Sequence, residues 1–373
     1  MNSKYQPIME SFLFKNGVEV KNRVVLAPMT ISYSQQDGTL SEAMLAYYES
    51  RSKCVGMAVT GSTLVAPNGT VFGGELAADR DEMIPSLRRL ATAIKKGGAK
   101  AILQIFHGGR ESLPEVVANG EIVSASAVAK EGLSVMPRAL EEQEILEMIH
   151  AFGASTRRAI EAGYDGVEIH GANRFLIQQF FSPYTNRRDD RWGGSVDKRM
   201  AFPLAIVDEV KKVVNQHAKR PFLVGYRCSP EEEMTPGITM ADTLELVDAL
   251  ANKNLDYLHV SLMDFWSKPR RGVEDNRSRM EIIYELVSQR VPVIGVGGIK
   301  TPDEALRALQ SGAPFIALGR ELIIDPNWVR KIAQGRESEI RTEITLNDQG
   351  QLGISDHLWK KIISTPGWFP IKN

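Results

Sequence analysis

His170 and Asn173 close the segment Gly163-Tyr164-Asp165-Gly166-Val167-Glu168-Ile169-His170-Gly171-Ala172-Asn173. The run ahead of them alternates and is largely apolar, as a buried strand is. A His and an Asn three positions apart, just past a strand's carboxyl end, can aim two hydrogen-bond donors at one point. Two fixed donors beside an apolar pocket are what a carbonyl oxygen or an oxyanion needs. A second group of residues suits an anion. Val296-Gly297-Gly298-Ile299-Lys300-Thr301-Pro302 places glycines between an apolar run and a helix start, and Ala317-Leu318-Gly319-Arg320 repeats the arrangement. Glycines let backbone amides approach an anion, and Arg320 adds a guanidinium fork. A phosphorylated cofactor and a phosphorylated substrate fit such a site equally. Thr30, Gln104 and Arg227 carry a hydroxyl, an amide and a guanidinium at other strand ends. Such a ring of donors suits a polar heterocycle, and Arg227 can stabilise negative charge on it.

These side chains need a frame that gathers strand ends. Eight apolar, β-branched runs recur: Asn22–Pro28, Met57–Val65, Ala99–Phe106, Gly163–His170, Pro221–Cys228, Leu255–Leu262, Val291–Gly297 and Pro314–Leu318. Segments of helical period lie between or after them: Ser41–Cys54, Met83–Lys96, Glu142–Ala162, Ser195–Asn215, Met240–Asn252, Arg279–Gln289, Thr301–Gln310 and Pro326–Gln334. Ser41 ahead of Glu42, and Thr301-Pro302-Asp303-Glu304, read as helix starts. Eight strand–helix repeats predict an α/β fold, a (β/α)8 TIM barrel whose chemistry sits at the carboxyl ends of the strands. No GxGxxG follows the first strand, which counts against an open doubly wound sheet. Gly108–Leu140 is long for a loop between the third strand and its helix. With Ile122-Val123-Ser124-Ala125 inside it, it reads as an excursion capping the barrel mouth. No linker composition marks a boundary. The expected organisation is one domain over 1–373, with the barrel over about 22–336 and a tail over 337–373.

Bulk composition excludes several classes. The 45 basic and 46 acidic residues nearly cancel, at a net charge of −1, so neither nucleic acid nor an anionic membrane is expected as a partner. Two cysteines, Cys54 and Cys228, cannot form a disulfide framework or ligate an iron–sulfur cluster within the chain. Cys228 is expected to be a buried, inert thiol rather than a redox-sensitive one. The first ten residues hold no apolar signal region, and no run approaches a membrane span, so a cytoplasmic protein is expected. No strand-end Lys stands ready for a Schiff base, and no Asp/Glu/His cluster has metal spacing, so no metal site is expected. A barrel lyase or isomerase acting on a sugar phosphate is disfavoured for the same reason.

From Asn22 to about Trp328 the chain resembles the old yellow enzyme family of FMN-dependent oxidoreductases. The most specific pieces are Asn22-Arg23-Val24-Val25-Leu26-Ala27-Pro28-Met29-Thr30, Leu103-Gln104-Ile105-Phe106-His107-Gly108-Gly109-Arg110 and Gly166–Asn173. Ser182-Pro183, Asn186-Arg187-Arg188 and Trp192-Gly193-Gly194-Ser195 are also similar. The resemblance implies a barrel that binds FMN without a covalent link and takes electrons from NADH or NADPH. It implies that Ala27, Pro28, Met29 and Thr30 line the flavin, with the Thr30 hydroxyl and the Ser62 amide near its O4. Gln104 would meet the pyrimidine edge, and Arg227 the N1 and O2 side. Gly297, Gly298, Gly319 and Arg320 would hold the phosphate. His170 and Asn173 would bind the substrate oxygen over the flavin, so that the substrate β-carbon accepts hydride from N5. Phe106, Phe175 and Tyr33 would form the substrate pocket.

Two departures qualify what the resemblance implies. The family usually has a Tyr two positions after the Asn, as proton donor to the substrate; here that position is Phe175, preceded by Arg174. Slower reduction of enones than of quinones or nitro compounds is therefore expected, with Tyr33 or Tyr184 as substitute donors. Some relatives send an Arg, directly before a C-terminal Gly-Trp, into a neighbouring protomer; here Pro366 precedes Gly367-Trp368. A homo-oligomer, a dimer first among the options, is left open. The leading expectation is a ping-pong NAD(P)H oxidoreductase for small electrophiles (α,β-unsaturated carbonyls, quinones, nitro compounds). The alternative is a flavin-binding protein whose ene-reductase activity is weak or lapsed through Phe175.

Overall fold

Short apolar segments pair in parallel, each with the next, until the last meets the first. The computed structural model describes residues 1–130, 132 and 135–372. Its barrel strands are β1 (Val24–Leu26), β2 (Met57–Val59), β3 (Lys100–Phe106), β4 (Gly166–Gly171), β5 (Leu223–Cys228), β6 (Tyr257–Val260), β7 (Val293–Val296) and β8 (Phe315–Leu318). β8 pairs with β1, and β4 pairs with both β3 and β5, so the barrel is closed and has no open edge. The barrel helices are α1 (Glu42–Arg51), α2 (Ile84–Lys96), α3 (Glu142–Ala162), α4 (Val196–His217), α5 (Met240–Ala251), α6 (Arg279–Val287), α7 (Pro302–Gln310) and α8 (Trp328–Ala333). This is the (β/α)8 barrel that the repeats predicted. The caps agree too: Ser41 Oγ accepts from the Met44 amide, and Thr301 and Glu304 form a reciprocal capping box with Pro302 at the first helical position.

The strands are shorter than the predicted runs, and two of the differences have local reasons. The segment Met57–Val65 leaves the ladder after Val59 and resumes only at Thr63–Leu64. Gly61 packs so closely on the chain beyond β1 that a Cβ there would lie 2.5 Å from the Met29 carbonyl oxygen. The Gly61 amide donates to the Tyr48 hydroxyl at 2.6 Å, and Thr60 Oγ1 accepts from the Gln104 amide at 3.0 Å. Gly163, predicted to open the fourth strand, instead ends α3 in the left-handed conformation at φ +86°.

The barrel interior has two storeys. At the amino ends of the strands a hairpin, Phe12–Leu13 with Glu19–Val20, plugs the floor. Its Phe14 stacks on Phe315 at 5.5 Å, and both pack with Val25, Met57, Ile102 and Ile294. Towards the carboxyl ends the fill turns polar, with Gln104, Glu168, Arg227 and His259 all buried. An apolar floor under a polar layer fixes which end can do chemistry.

The excursion after β3 forms a two-stranded parallel pair, Val123–Ser124 with Arg138–Ala139. Its positions 131, 133 and 134 lie outside the described residues. Arg110 donates to the carbonyls of Val128 and Ala129, and Arg188 to those of Ala125 and Leu140, so the excursion is held against the barrel mouth. The tail folds back onto the barrel through the pair Ile344–Thr345 with Ile371–Lys372 and the helix Asp356–Ser364. Arg51, buried without a carboxylate partner among the described residues, stacks over Tyr47 and donates to the Leu352 carbonyl at 2.7 Å. No helix among the described residues is long and apolar enough to cross a membrane.

Candidate active site

The carboxyl ends of the strands meet in a cavity of about 370 Å³. Ala27, Pro28 and Met29 line it from the end of β1, and Asn173 and Arg227 from beyond β4 and from β5. Gly297, Gly298, Gly319 and Arg320 close its far end after β7 and β8. The conformation at β7 is one that only glycine adopts with ease: Gly297 has φ +146° and Gly298 φ +66°. A Cβ on Gly297 would lie 2.5 Å from the Phe265 amide nitrogen.

Two strand-end histidines compete for the donor role, and their hydrogen bonds separate them. His107, beyond β3, accepts from the Gly109 amide at Nδ1 (3.0 Å) and reaches Asn68 Oδ1 with Nε2 (2.9 Å). Both of its nitrogens are therefore engaged. His170 accepts from the Ala172 amide at Nδ1 (3.3 Å), which places its proton on Nε2. That Nε2–H has no acceptor among the described residues. Burial, and then the neighbouring Arg227 cation, push the His170 pKa down to about 3, so the donor is a neutral imidazole. Asn173 sits in the left-handed region at φ +58°, a conformation Asn tolerates better than most residues. Its backbone N–H donates to Ser229 Oγ at 3.0 Å, and Ser261 Oγ donates to its Oδ1 at 3.0 Å. With Oδ1 occupied, the side-chain NH2 is the free end.

Arg227 is buried, its Nε lacks a partner, and no ion pair engages it among the described residues. Thr30 Oγ1 donates to Ser62 Oγ (3.3 Å), Ser62 Oγ to Gln104 Oε1 (3.4 Å), and Gln104 Nε2 to Glu168 Oε1 (2.7 Å). This chain links β1, the break after β2, β3 and β4. Phe175 lies edge-on to both His170 (4.9 Å) and Phe106 (5.0 Å). Phe106 is fully buried and stands behind that wall.

Tyr33 has a structural partner that the sequence did not show. Its hydroxyl accepts from the Ser355 amide at 2.9 Å and its ring packs edge-on to Tyr47, so it anchors the tail. The Tyr184 hydroxyl has no partner among the described residues, and its ring lies 5.3 Å from the Arg110 guanidinium. Several residues of the site went unread in the sequence. The end of β6 supplies Ser261, which orients Asn173. The tail supplies Gly367–Pro370 as a wall of the cavity, with the Trp368 carbonyl accepting from Arg320 at 2.9 Å. Glu168 carried a legible signal, since it alternates with His170 on one strand and so shares its face. Cys228 is buried and its thiol is pushed up to about 12 by burial, as expected of an inert cysteine.

Comparison with known proteins accords with this geometry. The profile of the NADH:flavin oxidoreductase / NADH oxidase family matches residues 7–339. The chain is 52% identical over 373 residues to the probable NADH-dependent flavin oxidoreductase YqiG of Bacillus subtilis (strain 168), covering 100% of both. It is 42% identical over 361 residues to the NADH:fumarate oxidoreductase of Klebsiella pneumoniae (strain 342), covering 95% of this chain but 38% of that larger protein. Among solved structures, morphinone reductase aligns with a TM-score of 0.76 at 26% identity, over 88% of this chain and 89% of its own. Because the match runs through all eight strands rather than through one motif, the chain belongs to the FMN-dependent NADH:flavin oxidoreductase / NADH oxidase family, the old yellow enzymes, and is an NAD(P)H-dependent flavin oxidoreductase.

Proposed function

We propose that the chain works as one FMN-binding domain that passes hydride from NADH or NADPH to small electrophilic acceptors. The observation that carries this reading is Arg227, a buried guanidinium with an orphaned Nε at the cavity wall. A buried guanidinium without a hydrogen-bonded partner is costly unless a ligand completes it. FMN fits that need at one end of the cavity, and the strained glycine cradle fits its phosphate at the other. When bound, FMN supplies the site that accepts and returns hydride. Arg227 offers charge to the ring, while Gly297, Gly298, Gly319 and Arg320 hold the phosphate. Ala27, Pro28, Met29, Thr30, Ser62 and Gln104 line the ring.

The substrate side follows from the clamp. The His170 Nε2–H and the Asn173 NH2 polarise an acceptor oxygen, and neither donor changes charge near neutrality. Phe175 packs on His170 where a hydroxyl would deliver a proton, so carbon protonation is left to solvent or to Tyr184. Acceptors that take protons on heteroatoms, quinones and nitro compounds, are therefore favoured over enones. The relative from Klebsiella pneumoniae is named for fumarate, but most of its length lies outside the match. Fumarate chemistry is therefore not assigned to this chain.

The test is direct. Purified protein should be yellow and release FMN on denaturation. NADH or NADPH under nitrogen should bleach it, and a quinone should restore the colour faster than an enone does. Bleaching with no recovery by any acceptor class would favour the second reading, a flavin-binding protein with lapsed catalysis, which Phe175 motivates.

A further inference from the structure

Beneath the cavity lies a carboxylate that the proposed reaction does not use. Glu168 and His170 alternate on β4, so both point into the barrel. Glu168 is fully buried; Gln104 Nε2 donates to its Oε1 at 2.7 Å, and His259 Nδ1 lies 2.9 Å from its Oε2. The route to His259 is unusual. Glu168 is in register with Gln104 on β3 and with Gly225 on β5. Gly225 has no side chain, and a Cβ there would lie 2.1 Å from the Tyr257 ring. The Glu168 side chain thus reaches past β5 to His259 on β6. Arg227 stands one inward step further up β5, in register with His170 on one side and His259 on the other.

The charges in this layer can be assigned. Burial alone would raise the Glu168 carboxyl, but His259, Arg227 and the Gln104 hydrogen bond outweigh it and hold it below the usual carboxylate range. Burial keeps His259 neutral, so its Nδ1–H donates to Glu168 and its Nε2 has no partner among the described residues. His170 is neutral as well, and the Tyr257 hydroxyl that faces Glu168 stays protonated. One anion and one cation therefore lie under the ring site. They sense each other without forming an ion pair.

We propose that Glu168 sets the flavin potential: its carboxylate, fixed by Gln104 and His259, offsets Arg227 and so limits how strongly Arg227 stabilises negative charge on the reduced cofactor. The inference rests on the FMN reading above. Glu168 touches no reacting atom in this scheme and is a positioning residue. Two readouts report it without turnover: the midpoint potential against reference dyes, and sulfite titration followed by loss of flavin absorbance.

Glu168→Gln should shift the oxidised–reduced equilibrium at least tenfold towards the reduced form, about 30 mV for a two-electron couple. It should tighten sulfite binding by a similar factor. Glu168→Asp, which keeps the charge, should stay within threefold of the parent protein in both. Arg227→Gln should move both readouts the other way. If Glu168→Gln fails to fold, the double variant E168Q/R227Q provides the same comparison, because removing both charges leaves no lone buried ion. It should bind sulfite at least tenfold more tightly than R227Q alone. Equal values in Glu168→Gln and the parent, or in the double variant and R227Q, overturn the proposal. So does an equal shift in Glu168→Asp and Glu168→Gln, which would make the role one of shape. A protein that neither carries nor takes up FMN overturns the underlying reading; a yellow protein with unchanged potentials overturns the role of Glu168 alone.

Discussion

Phe175 touches His170 edge-on, at a ring separation of 4.9 Å, and presents no exchangeable proton to the clamp. A positioned general acid contributes on the order of 10²–10⁴-fold to a proton transfer, so restoring one should be visible. Phe175→Tyr should raise kcat for a cyclic enone at least tenfold and leave quinone turnover within twofold. An unchanged enone-to-quinone ratio would remove Phe175 as the cause of acceptor preference. Residue identity alone could not have chosen between the two strand-end histidines. His107 and His170 both follow apolar runs and both precede glycine. Only the fold shows that Asn68 and Gly109 occupy both nitrogens of His107 while the Nε2 of His170 has no acceptor among the described residues.

At the scale of elements, the turn after β7 carries the anion cradle. Gly297 is both left-handed at φ +146° and in contact with the Phe265 backbone, so a side chain there meets strain and a clash together. Gly297→Ala should cost about 2–4 kcal/mol of stability and weaken FMN binding more than tenfold. Thermal unfolding with and without added FMN measures both. A variant with parental FMN affinity would show that the cradle does not depend on this backbone. The glycines were legible in sequence because the turn must be tight. The break at Gly61 was not, because its cause is the approach of Met29 from the segment beyond β1.

At the scale of the whole molecule, the tail is part of the site. Gly367–Pro370 wall the cavity, and the Trp368 carbonyl holds Arg320. A chain ending at Thr365 should keep its barrel circular dichroism yet lose about tenfold in FMN affinity, or about 1.4 kcal/mol. Parental affinity in the shortened chain would make the tail a passive cover. The global pH response follows from buried groups. His107 and His170 are both pushed by burial down to about 3. The unfolded chain takes up those protons first, so stability should fall as pH drops from 6.5 towards 3. Glu321 behaves oppositely: burial, then Asp325, raises it from 4.5 to about 8. The folded state holds that proton longer, so its contribution is complete below pH 4.5 and is lost as pH rises through 8. Glu321→Gln should therefore raise the melting temperature relative to the parent at pH 9 more than at pH 5. An equal effect at both pH values would show that Glu321 is ionised in the fold.

The sequence by itself determined the eight-fold alternation, the closed barrel, the glycine turns after β7 and β8, and the strand ends where donors gather. Those features rest on local periodicity and on backbone conformations that few residues tolerate, and both are written in consecutive positions. Only the tertiary structure decided that Ser261 aims Asn173, that Tyr33 bonds the tail at Ser355, that Arg227 has no ion-pair partner among the described residues, and that Glu168 reaches past Gly225 to His259. Each of those depends on distance between residues far apart in the chain, set by strand register and by the space a missing side chain leaves.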